Sequence, residues 1–320
     1  MEHRPTGLLG IEKVTLGYIL FTTILIGIFW TGMNSPLTML GIRGCVILLI
    51  AAIYGIYQFR PTKTTYFIRQ VALLFLLPYW YPETYEFCRQ FPNLDHIFAG
   101  IDLELFGCQP SMVFSEVLPG KIWSELFNAG YFAYFPMIFI CVLLTLFGKR
   151  KYLGQTVSVI LICFFFYYTI YIFLPVAGPY YYFPTIGHDA MVSGQYPELH
   201  DYFRTHIQLP PSASATDGFF KSLVSLTQES GERPTAAFPS SHVGMSTIVM
   251  LLTYRLRKGT FWIFLPLYIL LCGATVYISA HYLIDSICGL ISAPIFLTIA
   301  FKIYRRIDDG DARAEYLVGW

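Results

Sequence analysis

The stretch "TAAFPSSHVGMSTIVMLL", residues 235–252, runs from a proline, two serines and a histidine straight into an apolar segment. Pro239 suits the first position of a helix, where backbone N–H groups lack intrahelical partners anyway. A membrane-spanning helix over about 240–256 is the expected result, closed by the basic turn "YRLRKG" at 254–259. Its first N–H groups, on Ser240, Ser241 and His242, point with the positive dipole end toward any anion, and the serine hydroxyls add donors. Arg233, upstream in "GERPTAAFPSSH", supplies a charge-assisted clamp for the same anion. The alternative is an ordinary capped helix start.

The basic turn sends the chain back, and the return span delivers "YISAHYLIDSICG", residues 277–289, to the same membrane face. His281 and Asp285 are four apart, so one helical face holds both and a direct hydrogen bond is expected. A carboxylate that accepts Nδ1–H fixes the imidazole tautomer and exposes Nε2 as nucleophile or base. The alternative is an interhelical staple. Ionisable groups near a membrane are expensive and usually functional.

The rest of the chain has a membrane protein's composition. Of 320 residues, 55% are hydrophobic, 18% aromatic and 13% charged, against roughly 25% charged in an average soluble domain. A span needs about 20 apolar residues. Eight are expected, at about 14–32, 39–59, 65–82, 124–147, 154–174, 240–256, 261–279 and 282–303. Basic residues cluster at Arg60, Lys63 and Arg69, at Lys149 to Lys151, at Arg255, Arg257 and Lys258, and at Lys302, Arg305 and Arg306. All share a side with Arg4 and Lys13, so both termini are expected in the cytoplasm and both histidines at the extracytoplasmic or lumenal face. Arg43 falls at the opposite end and is expected to snorkel.

Other classes are excluded or left open by simple features. A net charge of +1 with no basic face excludes a nucleic-acid partner. No cleavable signal peptide is expected. The seven cysteines are scattered without CxxC spacing, and only Cys88 with Cys108, both in a polar segment, leave a disulfide open. No HxxxH box suggests a metal, and no cofactor is implied.

Two polar segments face outward. Residues 83–123, with "NLDHIFAGIDLELFGCQPSMVF", are expected as short interfacial helices. Within residues 175–239, "DGFFKSLVSLTQES" is expected as an interfacial helix or lid, or else a surface helix packed on its loop. Tyr180, Tyr181 and Tyr182 in "FLPVAGPYYYFP" are either belt anchors or a lipid-headgroup entrance.

Together the parts describe phosphoryl chemistry. His281 attacks a lipid phosphate seated on the Ser240 to His242 terminus, and His242 protonates the leaving oxygen and then activates the acceptor. "FPSSHVG" and "HYLIDSICG" resemble the type 2 phosphatidic acid phosphatase (PAP2) superfamily. Within it they look like the inositol phosphorylceramide synthase and sphingolipid phosphotransferase branch, with weaker likeness in "GIDLELFGCQPS" and "LPVAGPYYYFP". The resemblance implies an all-α integral membrane protein with a six-helix core at 65–306, two additional helices within 1–64 and a cytoplasmic tail at 307–320. It implies His242 as acid/base, His281 as nucleophile and Asp285 as its orienting partner. The phosphatases carry an arginine six residues before the second histidine, where this chain has Thr275, and their early lysine and arginine motif is not evident here. A monoester carries nearly two charges and benefits from several cations, so fewer arginines fit a diester donor, with Arg233 or Arg204 as substitutes. The expected activity is transfer of a phospho-headgroup, phosphoinositol among the candidates, from a phospholipid donor to a ceramide-like or diacylglycerol-like alcohol. The competing readings are a lipid phosphatase and, more distantly, a transporter with a His/Asp proton relay.

Overall fold

A computed structural model describes residues 7–210 and 218–307. Arg4 and the tail expected beyond Ile307 lie outside the described residues.

Among the described residues, six helices are long and apolar enough to cross a membrane: Gly10–Ile28, Pro36–Phe59, Lys121–Gly148, Arg150–Phe173, Lys258–Tyr277 and Leu283–Ile307. A bent pair, Asp95–Phe106 and Pro110–Val117, raises the number to seven if it forms one span. No strand occurs among the described residues. Two of the eight expected spans come out differently. The segment expected at 65–82 is broken into Lys63–Val71, a 3-10 turn at Ala72–Leu76 and Leu77–Cys88. Pro78, in the first turn of the last piece, has no N–H to continue the helix before it. The Ser241–Leu256 helix has only 16 residues, about 24 Å at 1.5 Å per residue.

The Arg150–Phe173 span is the hub, 78% buried where the Lys258–Tyr277 span is 28% buried. It packs against the first helix, the Leu77–Cys88 helix, the Ser241–Leu256 helix and the last helix. Tyr18 of the first helix stacks on Phe165 of the hub at 3.9 Å between ring centroids.

Two buried ion pairs tie the first two helices to the segments that follow them. Arg43 does not snorkel: it is buried and forks onto Glu83 at 2.8 and 2.9 Å, with a third bond to the Met39 carbonyl. A matched carboxylate satisfies the planar guanidinium where it stands, so the side chain has no reason to reach for the interface. Arg69, expected in a basic cluster on the cytoplasmic side, is likewise buried. It bonds both oxygens of Glu12 at 2.7 and 2.6 Å, beneath the rings of Tyr54 and Tyr57.

The remaining basic ends gather away from the histidines. Lys13 donates to the carbonyl of Ile307 and Lys149 to that of Arg255. The last helix starts beside His281 and runs 25 residues to Ile307, so these ends lie about 37 Å apart.

Of the polar segments, residues 83–123 do form short helices. The Phe219–Gly231 helix is a packed one. Glu125 of the Lys121–Phe132 helix accepts the N–H groups of Phe220 and Lys221 at 2.9 and 3.0 Å, and Val224 is buried against it. Cys88 and Cys108 are free thiols; Cys88 donates instead to Thr235 Oγ1.

Candidate active site

The two histidine motifs meet because two helices approach at a glycine. A Cβ on Gly289 would stand 2.4 Å from the Ser240 carbonyl oxygen. Only glycine permits that contact, which brings the starts of the Ser241–Leu256 and Leu283–Ile307 helices together. The backbone N–H of Ser240 then donates to the Asp285 carbonyl at 3.0 Å.

His281 lies just before the last helix rather than on its first turn. Its Nδ1 is 2.7 Å from the Ala237 carbonyl and 3.8 Å from Asp285 Oδ2. The expected His281–Asp285 hydrogen bond is therefore not made. Asp285 Oδ2 instead accepts the Tyr282 N–H at 2.9 Å, and Oδ1 is buried without a partner. The expected tautomer survives by another route. A carbonyl only accepts, so Nδ1 carries the proton and Nε2 keeps its lone pair. Burial pulls the His281 imidazole down to about 4, with the Ala237 carbonyl pulling it partly back. The ring is neutral at physiological pH, as a nucleophile requires.

His242 stacks on Tyr131 and Tyr134, with centroids at 4.4 and 4.6 Å, and its ring centroid is 5.8 Å from that of His281. Both histidines line one cavity with Ser241, Thr235, Glu232 and Tyr81, and alanines complete the wall. Among the described residues that line it, none is lysine or arginine. The cavity is about 10 Å³, room for about one water.

The rest of the expected phosphate cradle is partly occupied. The Ser240 N–H is taken by Asp285 and the Ser241 N–H by the Tyr171 hydroxyl at 3.0 Å. Ser240 Oγ accepts from the Val243 N–H at 3.4 Å as the helix cap. Of the three expected N–H donors, only that of His242 is left for a ligand among the described residues. Arg233 does not line the cavity; its guanidinium donates to the Glu232 backbone carbonyl at 2.8 Å. Arg204 lies elsewhere, donating to the Arg89 carbonyl.

The three tyrosines do not line the cavity either. Tyr180 and Tyr182 donate to the carbonyls of Pro210 and Pro197 at 2.6 and 2.8 Å. Tyr181 is buried, and its hydroxyl has no partner. Thr275, at the position where the phosphatases carry arginine, is buried and bonds Ser286 Oγ at 2.9 Å, joining two helices.

Sequence reading missed the acids that hold the site. Asp95 accepts the N–H groups of Ala177 and Gly178, both at 2.7 Å, and the Tyr282 hydroxyl at 3.0 Å. Asp102 accepts the N–H groups of Leu283 and Ile284 at 2.8 and 3.0 Å, capping the last helix from outside. The signal was present: the two acids are seven residues apart, two helical turns, and so share a face of the Asp95–Phe106 helix. Glu232 had no comparable signal. Burial pushes its carboxyl up to about 7, and the Tyr81 hydroxyl pulls it partly back.

The PAP2 superfamily profile matches residues 104–299, more than half of the chain and all of the cavity except Tyr81. No curated protein and no solved structure matches the chain. By that match, with its long apolar helices and both histidines inside the matched stretch, the chain belongs to the PAP2 superfamily.

Proposed function

We propose that this protein is a membrane lipid phosphotransferase, similar to the inositol phosphorylceramide synthase branch of its superfamily. It moves a phospho-headgroup from a glycerophospholipid to a ceramide-like or diacylglycerol-like alcohol. The superfamily in general holds lipid phosphatases and phosphotransferases. The observation that favours transfer is the absence of lysine and arginine from the lining of the histidine cavity. A phosphomonoester dianion gains from several cations, whereas a phosphodiester has one charge to satisfy.

In the proposed mechanism, Nε2 of His281 attacks phosphorus and the bond from phosphorus to the diacylglycerol oxygen breaks. His242, held protonated by the bound anion, gives that oxygen its proton. The headgroup stays on phosphorus through its one remaining ester bond, and the new P–N bond makes the intermediate a phosphohistidine monoester. His242, now neutral, takes the proton of the incoming alcohol, whose oxygen attacks phosphorus and releases His281. Asp285, 3.8 Å away, stabilises the positive charge that develops on the ring. The basic helix ends far from the histidines support cytoplasmic termini and an active site at the extracytoplasmic or lumenal face.

The second reading, a phosphatase with water as acceptor, draws on the cavity's size, which matches one water. Purified protein given headgroup-labelled phosphatidylinositol with and without ceramide separates the two. Transfer of label to ceramide, lost in H281A, is the expected result. Inorganic phosphate release from phosphatidate with no headgroup transfer would overturn the transferase reading, and full activity in H281A would overturn the nucleophile.

A further inference from the structure

An acid in a phosphate-handling cavity needs explanation. Glu232 follows the Phe219–Gly231 helix, its N–H bonded to the Gln228 carbonyl at 2.8 Å, and its side chain lines the cavity with both histidines. The adjacent Arg233 turns its guanidinium to the Glu232 backbone carbonyl, not to the carboxylate. Tyr81 lines the same cavity, and its hydroxyl acts on the Glu232 carboxyl; an ionised carboxylate can accept about four hydrogen bonds. The Glu232 carboxyl therefore gives this wall acceptor capacity, with no cation among the described lining residues.

We propose that Glu232 selects the phosphate donor: its carboxylate turns away dianionic phosphomonoesters and receives hydrogen bonds from the hydroxyl- or ammonium-bearing headgroup of a phosphodiester. The first half works by repulsion, since a negative charge in an enclosed cavity penalises each added charge on the ligand, and a carboxyl pushed up to about 7 carries that charge at pH 8. The second half works by hydrogen bonding, because a headgroup with O–H or N–H groups brings donors that the carboxylate can accept. The identity of the donor rests on the phosphotransferase reading; the rejection of dianions does not.

The test compares the full-length protein with E232Q and E232D, all confirmed folded by thermal unfolding in detergent; if E232Q does not fold, E232S takes its place. Inorganic phosphate at pH 8, a dianion, is the first probe. Its inhibition of lipid turnover is expected to tighten about tenfold in E232Q and to stay near wild type in E232D. The second probe is donor preference, with phosphatidylinositol, phosphatidylethanolamine, phosphatidylcholine and phosphatidate in parallel. Preference for the first two over phosphatidate is expected to fall about tenfold or more in E232Q, while phosphatidylcholine, whose headgroup has no donor, changes little. The larger fall between phosphatidylinositol and phosphatidylethanolamine identifies hydroxyl or ammonium as the recognised group. Unchanged phosphate inhibition overturns the proposal and leaves Glu232 as a structural partner of Tyr81. Tighter phosphate inhibition with unchanged donor preference overturns the headgroup half. If the wild type transfers no headgroup at all, the phosphotransferase reading fails while phosphate inhibition still decides the role of Glu232.

Discussion

Asp285 lies 3.8 Å from His281 Nδ1 and accepts the Tyr282 N–H, so its contribution to the histidine is charge and not orientation. Orientation comes from the Ala237 carbonyl at 2.7 Å. The distinction has a kinetic consequence. Losing the tautomer of a catalytic histidine lowers kcat by about 10⁴. In D285N the amide oxygen still accepts the Tyr282 N–H and Ala237 still holds Nδ1, so only the electrostatic term is removed. Single-turnover measurement on D285N should show a fall of about 10- to 100-fold, near 1.4–2.7 kcal/mol of barrier. A fall approaching 10⁴ would mean that Asp285, and not Ala237, sets the tautomer.

At the scale of elements, the start of the last helix is held from outside by Asp102 and by the close approach at Gly289. Its first free N–H groups sit in a partly buried place, where a capping carboxylate from another helix replaces water. In D102N one carboxylate oxygen becomes an NH₂ facing an N–H. The expected loss is about 1–3 kcal/mol of stability, read from unfolding in detergent. Because His281 sits two residues before the capped N–H groups, kcat should fall with it even at temperatures where the variant is folded. Full turnover in a measurably destabilised D102N would show that the cap holds the helix but not the histidine.

Across the whole molecule, the two N-terminal helices are joined to the helices that follow by two buried ion pairs, Glu12 with Arg69 and Arg43 with Glu83. Removing one partner strands a buried charge. Glu12→Gln should therefore cost about 3–5 kcal/mol, and the apolar double replacement Glu12→Leu with Arg69→Met should recover most of it. Glu12 lies by the far end of the last helix, so lipid turnover per folded molecule should stay at the wild-type level in the double variant. Unfolding and activity measured on the same preparations check both parts. A double variant as unstable as Glu12→Gln would show that the pair contributes specific geometry beyond charge cancellation.

Local pattern carried the helices, the two histidines and the family resemblance. A span announces itself by apolar residues adjacent in sequence, and "FPSSHVG" and "HYLID" are short enough to be read without knowing what faces them. Six of the expected spans agree with long apolar helices to within a few residues. The broken stretch at 72–76 had its cause in Pro78, although apolar composition alone favoured a continuous run. Tertiary structure alone decided how the site is wired. The Ala237 carbonyl stands 44 residues from His281, and Asp102 stands 181 from Leu283. Backbone groups carry no sequence signature, and every residue but proline offers the same N–H and C=O. Which of them meets a histidine, a carboxylate or a substrate is set by helix packing, and here that packing put Glu232 in the cavity where sequence spacing pointed to Arg233.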